Sequence, residues 1–189
     1  MKDKITDKAT AKLFYYLILC DGTITDEEEE KYVSICKELE IKDTYAEECR
    51  EECKKKLSMI IDEDDYDDII TENVQDVIRD DIDKNSFSIW SHMIPIKLFL
   101  WDLLCVAYSD GDYSAPEKKI VKKVIRAFEI ETSLYQEMVS VQDTVNAIKA
   151  ESDVLKDSGL PYREVQKLDS ELQNRIKIIE QSVMLMIKE

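Results

Sequence analysis

The hydrophobic positions along the chain follow a helical period. Apolar residues recur every three or four positions, which is typical of the buried face of an α-helix. The clearest stripes are Tyr32, Ile35, Cys36 and Leu39, and then Val121, Val124, Ile125 and Phe128. Three glycines and three prolines in 189 residues leave little turn material for an all-β fold. We therefore predict an all-α protein.

The same pattern predicts where the helices lie. Six are expected first, over residues 7–20, 26–39, 45–60, 67–81, 96–109 and 115–129. From residue 141 onward the apolar stripe changes character, stops at Gly159 and resumes after Pro161. Glycine favours a helix end and proline a helix start, so the tail predicts a helical hairpin over residues 141–189.

Two short motifs lie 89 residues apart. "LCDGTITDEEEE" begins at Leu19 and "YSDGDYSAPEKK" begins at Tyr108. In both, the glycine is expected to adopt a positive φ at the end of one helix, and the Ser/Thr-x-x-Glu that follows predicts a capping box at the start of the next. The motif residues are Asp21, Gly22, Thr25, Glu28, Asp110, Gly111, Ser114 and Glu117.

A further pair of helix starts shares this spacing. Thr44 with Glu47, and Ser133 with Gln136, have the residue types of capping boxes. The 89-residue repetition predicts two related halves, at about residues 7–60 and 96–140. We therefore divide the chain into a helical domain over residues 1–140 and a hairpin extension over residues 141–189.

The Asp-Gly motifs also match the second half of an EF-hand calcium loop. In that alignment the first two ligand positions fall on Leu17 and Leu19 in one motif and on Val106 and Tyr108 in the other. A hard cation needs oxygen ligands at those positions. The motifs therefore predict structural turns and caps, with an acidic surface available for interaction, rather than calcium loops.

Charge narrows the range of partners. The chain has 42 acidic and 26 basic residues, for a net charge of −16. Nucleic acid and anionic membrane surfaces are disfavoured by that charge. The longest apolar run is interrupted by Pro95, Lys97 and Asp102, so no membrane insertion is expected. No secretory signal is evident and five cysteines occupy mostly apolar positions, which favours a reducing cytoplasm.

Residues for catalysis are scarce. His92 is the single histidine, and Cys49 and Cys53 are not matched by a second pair of ligands. The sequence also has no phosphate-binding glycine loop and no nucleophile elbow. We predict no enzymatic activity, no catalytic residues, no metal ligands and no cofactor. The acidic run over residues 62–68 leaves a loosely bound divalent cation as an alternative.

The two "DG-x-x-[ST]-x-x-E" turns carry a family resemblance. Each follows an apolar helix and precedes one that ends in "LEI" or "FEI". Over about residues 11–138 this arrangement resembles the TerB-like family, which includes tellurite-resistance proteins and the N-terminal region of some DnaJ co-chaperones. The resemblance implies a compact helical bundle of two related halves without chemistry of its own. Its acidic positions correspond to Asp21, Glu28, Asp110 and Glu117.

The function expected from this resemblance is that of an interaction module. It would serve in stress response or tellurite resistance, with another protein as its partner. The apolar stripe of the longer hairpin arm, Val165 to Met186, is expected to dock on the helical domain of the same chain, which makes a monomer the expected state rather than a dimer. The alternative is a divalent-cation-binding protein that uses acidic surface residues.

Overall fold

The computed structural model describes residues 3–22, 24–58, 66–84 and 92–188. The predicted all-α class is confirmed. The helices in the described residues are α1 Asp7–Leu19, α2 Asp26–Glu38, α3 Asp43–Leu57, α4 Tyr66–Lys84, α5 Ile96–Ala107, α6 Ala115–Ala127, α7 Thr132–Lys156 and α8 Tyr162–Lys188. The predicted end of the third helix at residue 60, and most of the acidic run after it, lie outside the described residues.

A short two-stranded ribbon was not predicted. Strand β1, Lys4–Thr6, pairs antiparallel with β2, Met93–Pro95, and places Ile5 opposite Ile94. Both isoleucines are buried. Three residues are too few to show the two-residue alternation by which strands are recognised. The ribbon joins two segments that lie 89 residues apart in the sequence.

Thr6 links this ribbon to the helices. As the N-cap of α1, its hydroxyl accepts a hydrogen bond from the Ala9 amide at 3.3 Å. The same hydroxyl donates to the Asp81 carboxylate of α4 at 2.6 Å. One side chain therefore connects β1, α1 and α4.

The core is built around α1 and α5. Both helices are apolar on nearly every side, as expected of helices surrounded by other elements. Phe14 of α1 stacks on Phe99 of α5, with 5.6 Å between ring centroids. Helices α3 and α4 pack against α1, and α2 packs against α5. Each Asp-Gly motif follows the C-terminal end of one of these two buried helices.

The predicted capping boxes at Thr44 and Ser133 are wrong. The N-cap of α3 is Lys42, which makes no side-chain cap bond, so Thr44 lies inside the helix. Helix α7 begins at Thr132, which places Ser133 inside that helix as well. Both helices start earlier than the Ser/Thr pattern indicated.

The cause is the way in which the preceding helices end. After α2, Glu40 adopts a left-handed φ of 56°, and the Ile41 amide donates to the Cys36 carbonyl at 2.9 Å. After α6, Glu129 has φ 53°, and the Ile130 amide donates to the Ile125 carbonyl at 3.0 Å. These bonds define Schellman motifs, which normally have glycine at the left-handed position. The "LEI" and "FEI" triplets are therefore abrupt helix stops.

The chain divides into two compact units, Met1–Thr132 and Ser133–Glu189. Helix α7 runs without a break through residue 141, where the hairpin was predicted to begin. Gly159 has φ +69° after α7, and α8 begins directly after Pro161, as the sequence indicated. Between these helices the Ser152 hydroxyl donates to the Asp169 carboxylate. The division into two related halves stays a prediction.

Candidate functional site

The first Asp-Gly turn reverses the chain between α1 and α2. Gly22 has φ +84°, and its amide donates to the Leu19 carbonyl at 3.1 Å. Thr25 then caps α2: its hydroxyl accepts from the Glu28 amide at 3.2 Å, and its own amide donates to the Glu28 carboxylate at 2.8 Å. Both bonds of the predicted capping box therefore form.

The second turn has the same local structure between α5 and α6. Gly111 has φ +92°, and its amide donates to the Tyr108 carbonyl at 3.3 Å. The Ser114 amide donates to the Glu117 carboxylate at 2.8 Å, and the Glu117 amide donates back to the Ser114 hydroxyl at 3.4 Å. Asp110 accepts a hydrogen bond from the Asp112 amide at 2.9 Å, which closes the loop locally.

The carboxylates of the two turns affect one another electrostatically. Burial raises the pKa of Glu28 above its ordinary value, and the charges of Asp21 and Asp110 raise it further. Burial, followed by the charges of Asp110 and Glu28, raises the pKa of Glu117 to about 7. Each capping glutamate therefore responds to charges from the other turn. The sequence motif did not show that the two turns would meet.

Helix α4 adds a fifth carboxylate to this group. Cys20 is buried, and burial together with the charges of Glu117, Asp21, Glu28 and Asp67 keeps its pKa far above the ordinary value. We call these carboxylates the turn cluster: Asp21, Glu28, Asp67, Asp110 and Glu117. Among the described residues, one ion pair involves the turn cluster: the Lys119 ammonium lies 3.5 Å from the Asp67 carboxylate.

Tyr66 closes one side of the first turn. Its hydroxyl donates to the Leu19 carbonyl at 2.6 Å, which satisfies a carbonyl at the end of α1. A Cβ placed on Gly22 would lie 4.0 Å from the Tyr66 ring. Sequence analysis missed Tyr66 and did not link Asp67 to the turns, because both come from α4, which has no counterpart in the repeated motif. The sequence places Asp67 only in the acidic run over residues 62–68, whose last three residues belong to α4.

Glu29 does not belong to the acidic surface that its sequence position suggests. It accepts hydrogen bonds from Tyr15 at 2.6 Å, from Arg50 at 3.2 Å and from Lys54 at 3.3 Å. Burial acts to raise its pKa, but these three partners outweigh burial and leave the pKa below its ordinary value. Glu29 therefore ties α1, α2 and α3 together as a paired, half-buried carboxylate.

The structure agrees with the exclusion of an EF-hand. Leu17 and Leu19, at the would-be ligand positions, are buried within α1. Val106 and Tyr108 are likewise buried at the end of α5. Those positions belong to the core rather than to an open loop, so a calcium loop has no room to form.

Metal-binding geometry is also absent among the described side chains. Within residues 3–22, 24–58, 66–84 and 92–188, no group of three or more His, Cys, Asp or Glu residues is arranged to hold a metal ion. His92 is exposed, and its carbonyl accepts from the Asp7 amide at 3.1 Å beside the ribbon. The turn cluster therefore has the charge, but not the ligand arrangement, of a metal centre.

The cysteines of α2 and α3 are buried, free thiols. Burial raises the pKa of Cys49 to about 11, and the pKa values of Cys36 and Cys53 to about 12. A thiol with such a pKa stays protonated near neutral pH, whereas the thiolate is the nucleophile and the metal ligand. These three side chains fill the core.

None of the described helices is both long enough and apolar enough to cross a membrane. Comparison with models of known protein families, with characterised proteins and with solved structures found no match.

Proposed function

We propose that this chain is a non-enzymatic, TerB-like interaction module associated with stress response or tellurite resistance. Its partner is another protein, which binds at the turn cluster. The resemblance rests on the two "DG-x-x-[ST]-x-x-E" motifs. Their matching geometry supports it, because both have a positive-φ glycine followed by a complete capping box.

The convergence of the turns is the observation that carries this proposal. Burial raises the pKa of Glu28, Glu117 and Cys20, and the charges of neighbouring cluster carboxylates raise these three values further. Like charges held together destabilise the isolated chain. Asp21 and Asp110 are exposed at the surface of this group. A lysine or arginine side chain from a partner would relieve the repulsion and gain charge-assisted hydrogen bonds.

A capture experiment tests the proposed surface. The tagged full-length chain is used to recover partners from the native cell extract, together with the variant Asp21→Asn/Asp110→Asn. The matched control, Glu164→Gln/Glu180→Gln, removes the same number of charges from exposed positions of α8. A partner kept by the control and lost by the turn variant supports the proposal. Equal recovery by all three proteins would place binding elsewhere.

The second candidate function is divalent-cation binding, for which the turn cluster has the charge but, among the described residues, no arrangement of three or more ligands. Calorimetric titration of the intact chain with calcium, magnesium and zinc separates the two functions. A stoichiometric, micromolar heat that Asp21→Asn/Asp110→Asn removes would favour the cation function. The absence of such heat, with partner capture intact, would favour the interaction module.

The association with tellurite is tested separately, by growth. Cells that carry the wild-type gene, a deletion, or the Asp21→Asn/Asp110→Asn variant are compared across tellurite concentrations. Loss of tolerance in the deletion and in the variant supports the stress-response assignment. Equal growth of the deletion and wild-type cells would restrict the proposal to protein interaction without tellurite.

A further inference from the structure

The outer face of α6 is a basic strip within an acidic protein. The strip consists of Lys118, Lys119, Lys122, Lys123 and Arg126. At 100° per residue these positions fall within one arc of about 140°, and they span roughly 12 Å along the helix axis. All are exposed except Lys123, which is half-buried. The opposite face of α6 holds buried residues such as Val121 and Val124.

The basic strip is unfavourable for the isolated helix. Lys118 with Lys122, and Lys122 with Arg126, are like-charge pairs one turn apart, which repel each other. Lys118 and Lys119 also lie near the helix N-terminus, where the helix dipole favours anions. The chain has 42 acidic residues, so a shortage of carboxylates does not explain the arrangement.

Among the residues that the structure describes, few partners relieve that repulsion. Lys119 lies 3.5 Å from Asp67, and both side chains are largely exposed. Lys118 lies over the Tyr113 ring, 4.9 Å from its centroid. Among the described residues, no carboxylate lies within ion-pair distance of Lys122, Lys123 or Arg126. By contrast, Lys54 and Arg50 of α3 both pair with Glu29.

We propose that the basic strip of α6 is a docking surface for an acidic segment of a partner protein. The inference rests on the proposed function as an interaction module, but it uses a second surface of opposite charge. The cations form two rows along α6: one of Lys118, Lys122 and Arg126, and one of Lys119 and Lys123. An acidic helix with carboxylates at every third and fourth position would match these rows. Binding would replace the repulsion along α6 with intermolecular ion pairs.

Other anionic partners fit this surface less well. Helix α4 packs beside α6 and exposes Asp67, Asp68 and Glu72. A membrane or a nucleic-acid duplex extends well beyond a 12 Å strip and would lie against those carboxylates. A second copy of the chain would bring its own net charge of −16 against a chain of the same charge, which opposes association. A short acidic segment avoids both problems.

The test uses a labelled helical peptide with glutamates at the matching spacing, and a control peptide with glutamine in their place. Fluorescence anisotropy with the full chain should show binding of the glutamate peptide only, weakening as salt is added. Lys122→Glu should weaken binding at least about tenfold, because a central attraction becomes a repulsion. Lys37→Glu, which makes the same charge change on the exposed face of α2, should leave binding unchanged.

Thermal unfolding separates this loss of binding from misfolding. Lys122→Glu converts two repulsive pairs, with Lys118 and Arg126, into attractive ones, so its melting temperature should equal or exceed that of the wild type. Failure of the glutamate peptide to bind would overturn the inference, as would equal binding by the two variants. Binding to phosphatidylserine vesicles, or salt-sensitive self-association in light scattering, would assign the strip to a membrane or to a second copy and overturn it too. Loss of the turn-cluster partner is a separate result, measured with Asp21→Asn/Asp110→Asn.

Discussion

At the scale of single residues, the left-handed backbone positions decide how the helices stop. Gly22 and Gly111 take this conformation at the Asp-Gly turns. Glu40 and Glu129 take it at the ends of α2 and α6, although a side chain at positive φ is normally strained. Glycine at the first pair is therefore required by the backbone, whereas glutamate at the second pair is a tolerated cost.

Substitutions at these two pairs should have opposite effects on stability. Gly111→Val should cost more than roughly 1 kcal/mol of stability, because valine is strained at a positive φ. A Cβ at this position would meet no atom within 4 Å, so the backbone conformation and not a clash causes the loss. Gly22→Val should lower the stability in the same way. Glu129→Gly should stabilise the protein by about 0.5–1 kcal/mol, since relief of strain exceeds the added freedom of the unfolded chain. Chemical denaturation measures the change in the free energy of unfolding for each variant. A change of the same sign in the glycine variants and in Glu129→Gly would contradict the left-handed strain assigned to these positions.

The hydroxyl of Thr10 is a second residue-scale feature. Thr10 is fully buried in α1, and its hydroxyl has no hydrogen-bond partner among the described residues. Leaving a polar group buried and unsatisfied costs about 1–3 kcal/mol. Thr10→Val keeps the shape and removes the hydroxyl, so it should raise the free energy of unfolding by about 1 kcal/mol. The control is Thr144→Val on α7. The Thr144 hydroxyl donates to the Ser140 carbonyl at 2.8 Å, so its removal should not raise the free energy of unfolding.

At the scale of elements, helix starts depend on whether a polar residue has an unsatisfied amide to cap. Thr25 and Ser114 meet that condition, and both capping boxes form. Thr44 and Ser133 have the same sequence pattern but lie inside α3 and α7. The preceding Schellman turn sets where the next helix begins.

Alanine scanning of these four positions checks the distinction. Thr25→Ala and Ser114→Ala should each cost on the order of 1 kcal/mol, because a cap is lost. Thr44→Ala and Ser133→Ala should cost little or stabilise slightly, because alanine has the higher helix propensity at an exposed helical position. Equal losses at all four positions, measured by urea denaturation, would contradict the helix boundaries.

Much of the element plan could be predicted from sequence. The helical period located α1, α2, α5 and α6, and the glycine and proline signals located the break between α7 and α8. The ribbon was missed because three-residue strands have no readable period. The Schellman stops were missed because glutamate occupies positions where glycine is the usual signal. The turn cluster depends on long-range packing, and no local spacing reveals which carboxylates will meet.

At the scale of the whole molecule, buried carboxyls set the response to pH. Burial, with the charge of Glu38, raises the pKa of Asp102 to about 7, and Glu117 has a pKa of about 7 as well. Both values exceed those of the unfolded chain, so the folded protein binds more protons between roughly pH 4.5 and 7. Their contribution to stability is present below that window and is lost as the pH rises through it.

Unfolding measurements at pH 5 and pH 8 should show this loss. The wild type should be less stable at pH 8, and Glu117→Gln should reduce the difference because glutamine keeps the capping geometry without a charge. Adding Asp102→Asn should reduce the difference further. The exposed control Glu180→Gln should leave it unchanged. Stability that rises from pH 5 to pH 8 would contradict the assignment of raised pKa values.

The ribbon between β1 and β2 bears on how the chain folds during synthesis. Ile5 pairs with Ile94, so β1 has no partner until about residue 95 has been made. At about 5–20 residues per second, that delay is on the order of 5–20 s. Helices form within about a microsecond, so α1 and α2 can form long before the ribbon closes. The first strand must remain unpaired during that interval. Ribbon closure is therefore a late, long-range step in folding. Because the ribbon precedes both α1 and α5, its closure favours the cooperative assembly of these two helices.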